Sequence, residues 1–243
     1  DCIICSNTSS IPITKLAQSV TNPERFAGAH FFSPVWLMEL LEIVKGEATS
    51  QETVNNLLCF AGAIKKRPII CRDNPGFVVN AMILPYFLKV YDLLEQGVPI
   101  EKIDRAMMQF GFPVGPIRLI DEIGIDTHYN ALVSVGVTVP PILQRIIDDG
   151  RTGVKKSGRG IFLADGSVDP EVLPLIGFKG EPLNMPMEEI QKILFSQFVM
   201  RGKELVDEGI VDNFKSIDVG VIWGLGFPAE KGGPLKWADL TGL

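Results

Sequence analysis

Phe26-Ala27-Gly28-Ala29-His30-Phe31-Phe32, halted by Ser33-Pro34 and followed by Met38-Glu39-Leu40-Leu41-Glu42-Ile43-Val44, decides how this chain is read. Each run is short, apolar and bounded by a turn signal, which predicts two strands joined by a reversal. Outward from this pair, residues 2–5 and 68–71 supply two further apolar runs of strand length, the first read as a buried strand. Residues 50–64 instead space their apolar positions helically behind Ser50 and Glu52, a helix start. The predicted fold class is therefore α/β over residues 1–72.

After Asp73 the pattern changes. Asn74-Pro75-Gly76 is a turn or helix-start signal, and residues 77–94 run apolar with almost no charge before Lys89, as a helix buried on most faces would. Helical text with Gly/Pro punctuation follows, so residues 73–165 are predicted all-α. Residues 166–186 are dense in proline and glycine and read as a connection. Residues 187–208 open a further helical unit, predicted over 187–243.

That last unit repeats the one before it. Glu95-Gln96-Gly97, Ile103-Asp104, Gly111-Phe112-Pro113, Gly115-Pro116 and Leu119-Ile120-Asp121 are echoed by Glu208-Gly209, Ile217-Asp218, Gly226-Phe227-Pro228, Gly233-Pro234 and Trp237-Ala238-Asp239. Two modules of common design are expected to pack as a pseudo-symmetric pair.

Composition narrows the class. The chain has 243 residues, 46% hydrophobic and 21% charged, which is globular rather than disordered composition. Its 23 Lys+Arg against 29 Asp+Glu give −6, with no basic cluster beyond Lys65-Lys66-Arg67 and Lys155-Lys156, which argues against nucleic acid as a partner. Charged residues interrupt every apolar run before membrane-span length. Cys2, Cys5, Cys59 and Cys71 do not make a disulfide framework, so a reducing compartment is expected, and no secretory signal is visible. Asp1 to Cys5 reads as a strand with no initiating Met, which predicts that the chain is a fragment starting inside a sheet.

Two histidines limit any imidazole chemistry to two candidates. His30 ends a strand before a proline turn, where α/β sheets place reactive groups. His128 lies in helical text and reads as structural. Glu42 sits among leucine, isoleucine and valine, where an ionised carboxylate costs several kcal/mol unless paired. A reversal at Ser33-Pro34 offers His30 as that partner; the alternative is an exposed Glu on an edge strand. Ser9, in the hydroxyl-rich Ser6-Asn7-Thr8-Ser9-Ser10, and Asn80, near the start of the apolar helix, each read equally well as local hydrogen-bonding groups.

Taken together, Ser6-Asn7-Thr8-Ser9-Ser10, Gly28-Ala29-His30-Phe31-Phe32-Ser33-Pro34, Leu41-Glu42-Ile43-Val44, Asp73-Asn74-Pro75-Gly76-Phe77-Val78-Val79-Asn80, Phe112-Pro113-Val114-Gly115-Pro116, Asp121 and Gly158-Arg159-Gly160-Ile161-Phe162 resemble the 3-hydroxyacyl-CoA dehydrogenase family in order and spacing. The further repeat resembles the duplicated carboxy-terminal domain of multifunctional fatty-acid oxidation enzymes, in which an enoyl-CoA hydratase domain precedes the dehydrogenase. The resemblance implies the carboxy-terminal part of a Rossmann-type NAD-binding domain followed by two repeated helical domains. It implies oxidation of (3S)-3-hydroxyacyl-CoA to 3-ketoacyl-CoA with NAD, an acyl-CoA substrate, a hydratase domain in the parent chain, a thiolase subunit as partner and a homo-oligomer. A cytoplasmic, peroxisomal or mitochondrial location is implied.

The resemblance also implies roles: His30 as catalytic acid/base, Glu42 as its carboxylate partner, Ser9 and Asn80 as substrate-binding, and Ser9 and Ser33 beside the nicotinamide. Ser33 stands where the family more often has Asn. No G-x-G-x-x-G occurs in the sequence, although the family places one ahead of the Ser-Asn-Thr-Ser-Ser loop to hold the pyrophosphate. The competing readings are a non-catalytic helical assembly or dimerisation module and another NAD(P)-dependent hydroxyacid dehydrogenase.

Overall fold

The computed structural model describes residues 2–177 and 181–242, the side chain of Ser157 excepted. Asp1 of the predicted first strand, residues 178–180 of the predicted connection and Leu243 of the last predicted module lie outside the described residues.

In chain order the elements are β1 (Ile4–Ser6), α1 (Ile13–Ala17), β2 (Phe26–Phe31), β3 (Leu40–Lys45), α2 (Gln51–Ala63), β4 (Arg67–Arg72), α3 (Val79–Glu95), α4 (Ile100–Phe110), α5 (Pro116–Ile123), α6 (Ile125–Ser134), α7 (Pro141–Asp148), α8 (Val154–Ser157), α9 (Leu173–Ile176), α10 (Met187–Asp207), α11 (Phe214–Leu225) and α12 (Pro234–Thr241). They form two compact units, one of residues 1–83 with 198–243 and one of residues 84–197.

The first unit is built on a mixed sheet in the order β1-β2-β3-β4. The outer pairs β1–β2 and β3–β4 are parallel and the central pair β2–β3 is antiparallel, as the Ser33-Pro34 reversal predicts. β2 and β3 are buried along almost their whole length because both faces are covered. On one face α2 lays Val54, Leu57 and Ala61 against Ala27, Ala29, Leu41 and Ile43. Burying Val54 and Leu57 stabilises this unit by roughly 1.5–3 kcal/mol each. The Ser50 side chain, accepting from the Thr53 N–H, starts α2 where the sequence places its cap.

The face carrying β3 and β4 is packed by α11, a partner the sequence reading did not anticipate for the repeat module. Gly220 and Gly224, one turn apart, permit it: a Cβ at Gly224 would stand 2.7 Å from a Leu40 methyl, and one at Gly220 3.1 Å from Ile69. Arg67 adds a guanidinium 4.1 Å from the centre of the Trp223 ring.

Three local expectations are corrected. Cys2 and Cys5 are exposed rather than buried, because β1 is a three-residue edge strand with a neighbour on one side only. The predicted helix from residue 77 begins at Val79, since Phe77 takes φ +50 and cannot be its first residue. The connection over 166–186 contains a 3-10 turn at Pro170–Val172 and the short α9.

In the second unit, Asp104 on α4 accepts hydrogen bonds from the Ile117 and Arg118 N–H groups that open α5. Asp121 on α5 does the same for Val154, Ile161 and Phe162. Helix starts leave N–H groups unpaired, and a buried carboxylate supplies acceptors. The first unit contains a like arrangement, with Asp218 on α11 accepting from Leu235 and Lys236 at the start of α12. No helix among the described residues is long and apolar enough to cross a membrane.

Candidate active site

The β2–β3 register sets His30 directly opposite Glu42. Side chains opposite each other on an antiparallel pair share a face and come within reach. Here His30 Nδ1 lies 2.6 Å from Glu42 Oε2, with Glu42 fully buried and His30 6% exposed. The alternative of an exposed edge Glu is thereby excluded.

Glu42 has a second set of partners. Its Oε1 accepts from the Val78 N–H at 3.2 Å and the Val79 N–H at 2.9 Å, the residues that open α3. A buried carboxylate with both oxygens engaged is held in one orientation, and the ring facing it is held with it. Because a carboxylate only accepts, Nδ1 carries the proton and the lone pair of the neutral imidazole lies on Nε2. No protein group among the described residues bonds to Nε2.

Two aromatic rings fix the remaining freedom. Phe32 lies 4.6 Å from the His30 ring centre, tilted, and Phe77 meets it edge-on at 5.6 Å. Phe32 follows β2 directly, whereas Phe77 arrives from the turn before α3, and nothing in the sequence pattern singles it out.

The other expected site residues are placed less tightly. Asn80 is the second residue of α3, half-buried, one position beyond Val79. Ser9 is exposed in the loop after β1 and Ser33 is exposed in the turn after β2. Neither bonds to His30 or Glu42 among the described residues, so the structure joins His30 and Glu42 and leaves Ser9, Ser33 and Asn80 on adjoining segments. Asn7, which the sequence reading left unremarked, ties the first loop to the site: its Oδ1 accepts from the Phe31 N–H at 2.8 Å. Thr8 Oγ1 accepts from the Ile11 N–H and closes the same loop. His128, expected to be structural, is buried in α6.

Residues 1–74 match the family described as 3-hydroxyacyl-CoA dehydrogenase, NAD binding domain, and residues 76–163 match 3-hydroxyacyl-CoA dehydrogenase, C-terminal domain. The chain belongs to the 3-hydroxyacyl-CoA dehydrogenase family. The two matches meet at the turn that delivers Val78 and Val79 to Glu42. NAD is the cofactor of the first of these domains.

Solved members of this fold agree. A 3-hydroxybutyryl-CoA dehydrogenase from Escherichia coli superposes with a TM-score of 0.82 at 25% identity, over 98% of this chain and 68% of that one. The (S)-3-hydroxybutyryl-CoA dehydrogenase of Ralstonia eutropha is 35% identical over 66% of this chain and 60% of its own, with a TM-score of 0.63. The dehydrogenase part of multifunctional enzyme 1 from C. elegans matches 96% of this chain and 56% of its own at 26% identity and a TM-score of 0.67. The chain thus spans 56% to 68% of these relatives' lengths. The Rossmann-like sheet followed by helices is the arrangement expected for this family.

Proposed function

We propose that His30 and Glu42 form the proton-transfer centre of an NAD-dependent dehydrogenase that oxidises a (3S)-3-hydroxyacyl-CoA to the 3-ketoacyl-CoA. The observation that carries this is the buried 2.6 Å contact between His30 Nδ1 and Glu42 Oε2, which leaves Nε2 as the basic nitrogen. Nε2 accepts the hydroxyl proton as the carbonyl forms, and Glu42, already hydrogen-bonded on its far oxygen, faces the positive charge that develops on the ring. Ser9 and Asn80 orient the substrate oxygens, and Ser9 and Ser33 line the nicotinamide side.

The residues fit the nicotinamide end of NAD: exposed hydroxyls of Ser9 and Ser33 follow β1 and β2, neighbouring strands of which the second carries His30. Bound NAD⁺ supplies the hydride acceptor. This sequence contains no G-x-G-x-x-G for the pyrophosphate.

The wider setting we infer is fatty-acid oxidation in a multifunctional hydratase/dehydrogenase protein, with domains over residues 1–72, 73–165 and 187–243 and a connection over 166–186. Two similarities support the last two being copies. Asp104 and Asp218 each accept from the opening N–H groups of the next helix. Each is also packed by a glycine, Gly115 or Gly233, whose Cβ would stand less than 2.5 Å from the carboxylate side chain.

The test is His30→Gln in the intact protein, assayed with a 3-ketoacyl-CoA and NADH. Loss of a general acid/base lowers kcat by roughly 10²–10⁴-fold, with NADH affinity unchanged. Wild-type turnover in this variant would remove His30 from the mechanism.

A further inference from the structure

We infer that Asn74 is a positioning residue for the His30–Glu42 pair, acting through the Asn74-Pro75-Gly76-Phe77 turn; this rests on the reading of His30 as the proton-transfer group. The Phe77 N–H donates to the Asn74 carbonyl at 2.8 Å, closing a four-residue turn. Pro75 occupies its second position and Gly76 its third, with φ +73, the left-handed conformation that this turn type demands there. A Cβ at Gly76 would approach the Ala81 nitrogen to 3.0 Å.

Phe77 continues left-handed, at φ +50. A bulky residue adopts that conformation only where its surroundings hold it. The group that holds it is the Asn74 side-chain amide, whose Nδ2 donates to the Phe77 carbonyl at 2.9 Å and to the Pro75 carbonyl at 3.1 Å.

Two features of the site hang on that one conformation. It aims the Val78 and Val79 N–H groups at Glu42 Oε1. It also sets the Phe77 ring edge-on against His30. With Phe77 relaxed to negative φ, both N–H groups would turn away, the Glu42 carboxylate would be free to rotate, and Nδ1 would lose its fixed acceptor. Asn74 therefore stands behind both restraints on the imidazole without touching it. Its chemistry is specific: an Asp at this position cannot donate, an Ala offers nothing, and a Ser hydroxyl can donate to one carbonyl.

The experiment is ¹⁵N spectroscopy of the imidazole rings. The chain has only two histidines, so His128→Leu assigns the spectrum. The wild type is expected to show His30 with the proton on Nδ1. Asn74→Ala and Asn74→Asp should each give a mixture of the two neutral tautomers, with kcat lowered about tenfold and KM for the 3-ketoacyl-CoA within about twofold, since a small misplacement of a reacting group costs rate more than binding. Asn74→Ser should recover most of the Nδ1–H form. Asn74→Asp, nearly the same size as Asn, keeps the test decisive if the Ala variant folds poorly. Folded variants that retain the wild-type tautomer would overturn the inference. Wild-type turnover in His30→Gln would instead overturn the functional reading, and the tautomer result would stand apart from it.

Discussion

His128 gives the protein a stability that depends on pH in a direction the structure dictates. The ring is 7% exposed, meets Phe87 edge-on at 4.9 Å and stacks on Tyr91 at 6.0 Å. Its Nε2 and the Tyr91 hydroxyl are both buried without a hydrogen-bond partner. Burial lowers the His128 pKa to about 4, against about 6.5 in an unfolded chain. The folded state therefore resists a proton that the unfolded state accepts. Stability is intact above the unfolded pKa and falls as pH drops toward the folded one. Linkage gives a loss of about 1.4 kcal/mol at pH 5.5 and about 2.5 kcal/mol at pH 4.5.

A second group in the same unit works the other way. Burial raises the Asp104 carboxyl to about 6 against the two backbone hydrogen bonds it accepts. A raised carboxyl favours the folded state as pH falls, by about 2 kcal/mol between pH 6 and pH 4. The two groups oppose each other in the wild-type profile, so the effect of His128 is read as a difference between variants. His128→Leu removes the titrating ring and the orphaned Nε2, so its stability should exceed that of the wild type increasingly from pH 6.5 down to pH 4. The chain's spectroscopy separates its two units, because all three tyrosines, Tyr86, Tyr91 and Tyr129, lie in residues 84–197, and all three tryptophans, Trp36, Trp223 and Trp237, lie in the other unit. Urea unfolding followed by tyrosine circular dichroism should show the pH-dependent difference, and tryptophan fluorescence should not. Parallel pH profiles of the two proteins by the tyrosine signal would refute the reasoning.

Three further outcomes follow from the packing. Glu42→Ala strands the Val78 and Val79 N–H groups and His30 Nδ1 in a buried site, and should cost about 3–5 kcal/mol by tryptophan fluorescence; a loss below 1 kcal/mol would contradict the hydrogen-bond geometry. Gly233→Ala places a Cβ 2.3 Å from Asp218 Cβ at a residue with φ +106, and should destabilise by about 3 kcal/mol through overpacking and backbone strain. Gly62→Ala, inside α2 with nothing within 4 Å of the added Cβ, should raise stability by about 0.5–1 kcal/mol in the same assay.

What could be read in advance depended on how local the cause was. The strands around His30 and Glu42 are short apolar runs separated by Ser33-Pro34, so the antiparallel pair is legible and His30 is a plausible partner for Glu42, but the connection runs over residues 32–39 and does not by itself set the register that places them face to face. The cap at Ser50 was legible for the same reason. The seat of α11 on β3 and β4 was not, because Gly220 and Gly224 read as weak helix positions until a strand is known to pass over them. Nor was the exposure of Cys2 and Cys5, which depends on β1 being an edge. The second oxygen of Glu42 was hidden most completely. Its partners lie 36 and 37 residues away and are backbone groups of two valines, so no side-chain pattern marks them.

That second oxygen explains why the site is built on a glutamate inside a strand. Asp104, Asp121 and Asp218 each place both carboxylate oxygens on backbone N–H groups at the start of a following helix or segment, and burial raises the pKa of all three. They accept from the backbone, and no imidazole is hydrogen-bonded to any of them among the described residues. Glu42 divides the same work: Oε1 takes the two N–H groups that open α3, and Oε2 is left for His30. A carboxylate anchored on one side by the scaffold orients an imidazole on the other without having to be reorganised when the ring becomes charged. The arrangement also makes the start of α3 a part of the site, so a change that tilts its first turn should reach His30 through Glu42 as well as moving Asn80 directly.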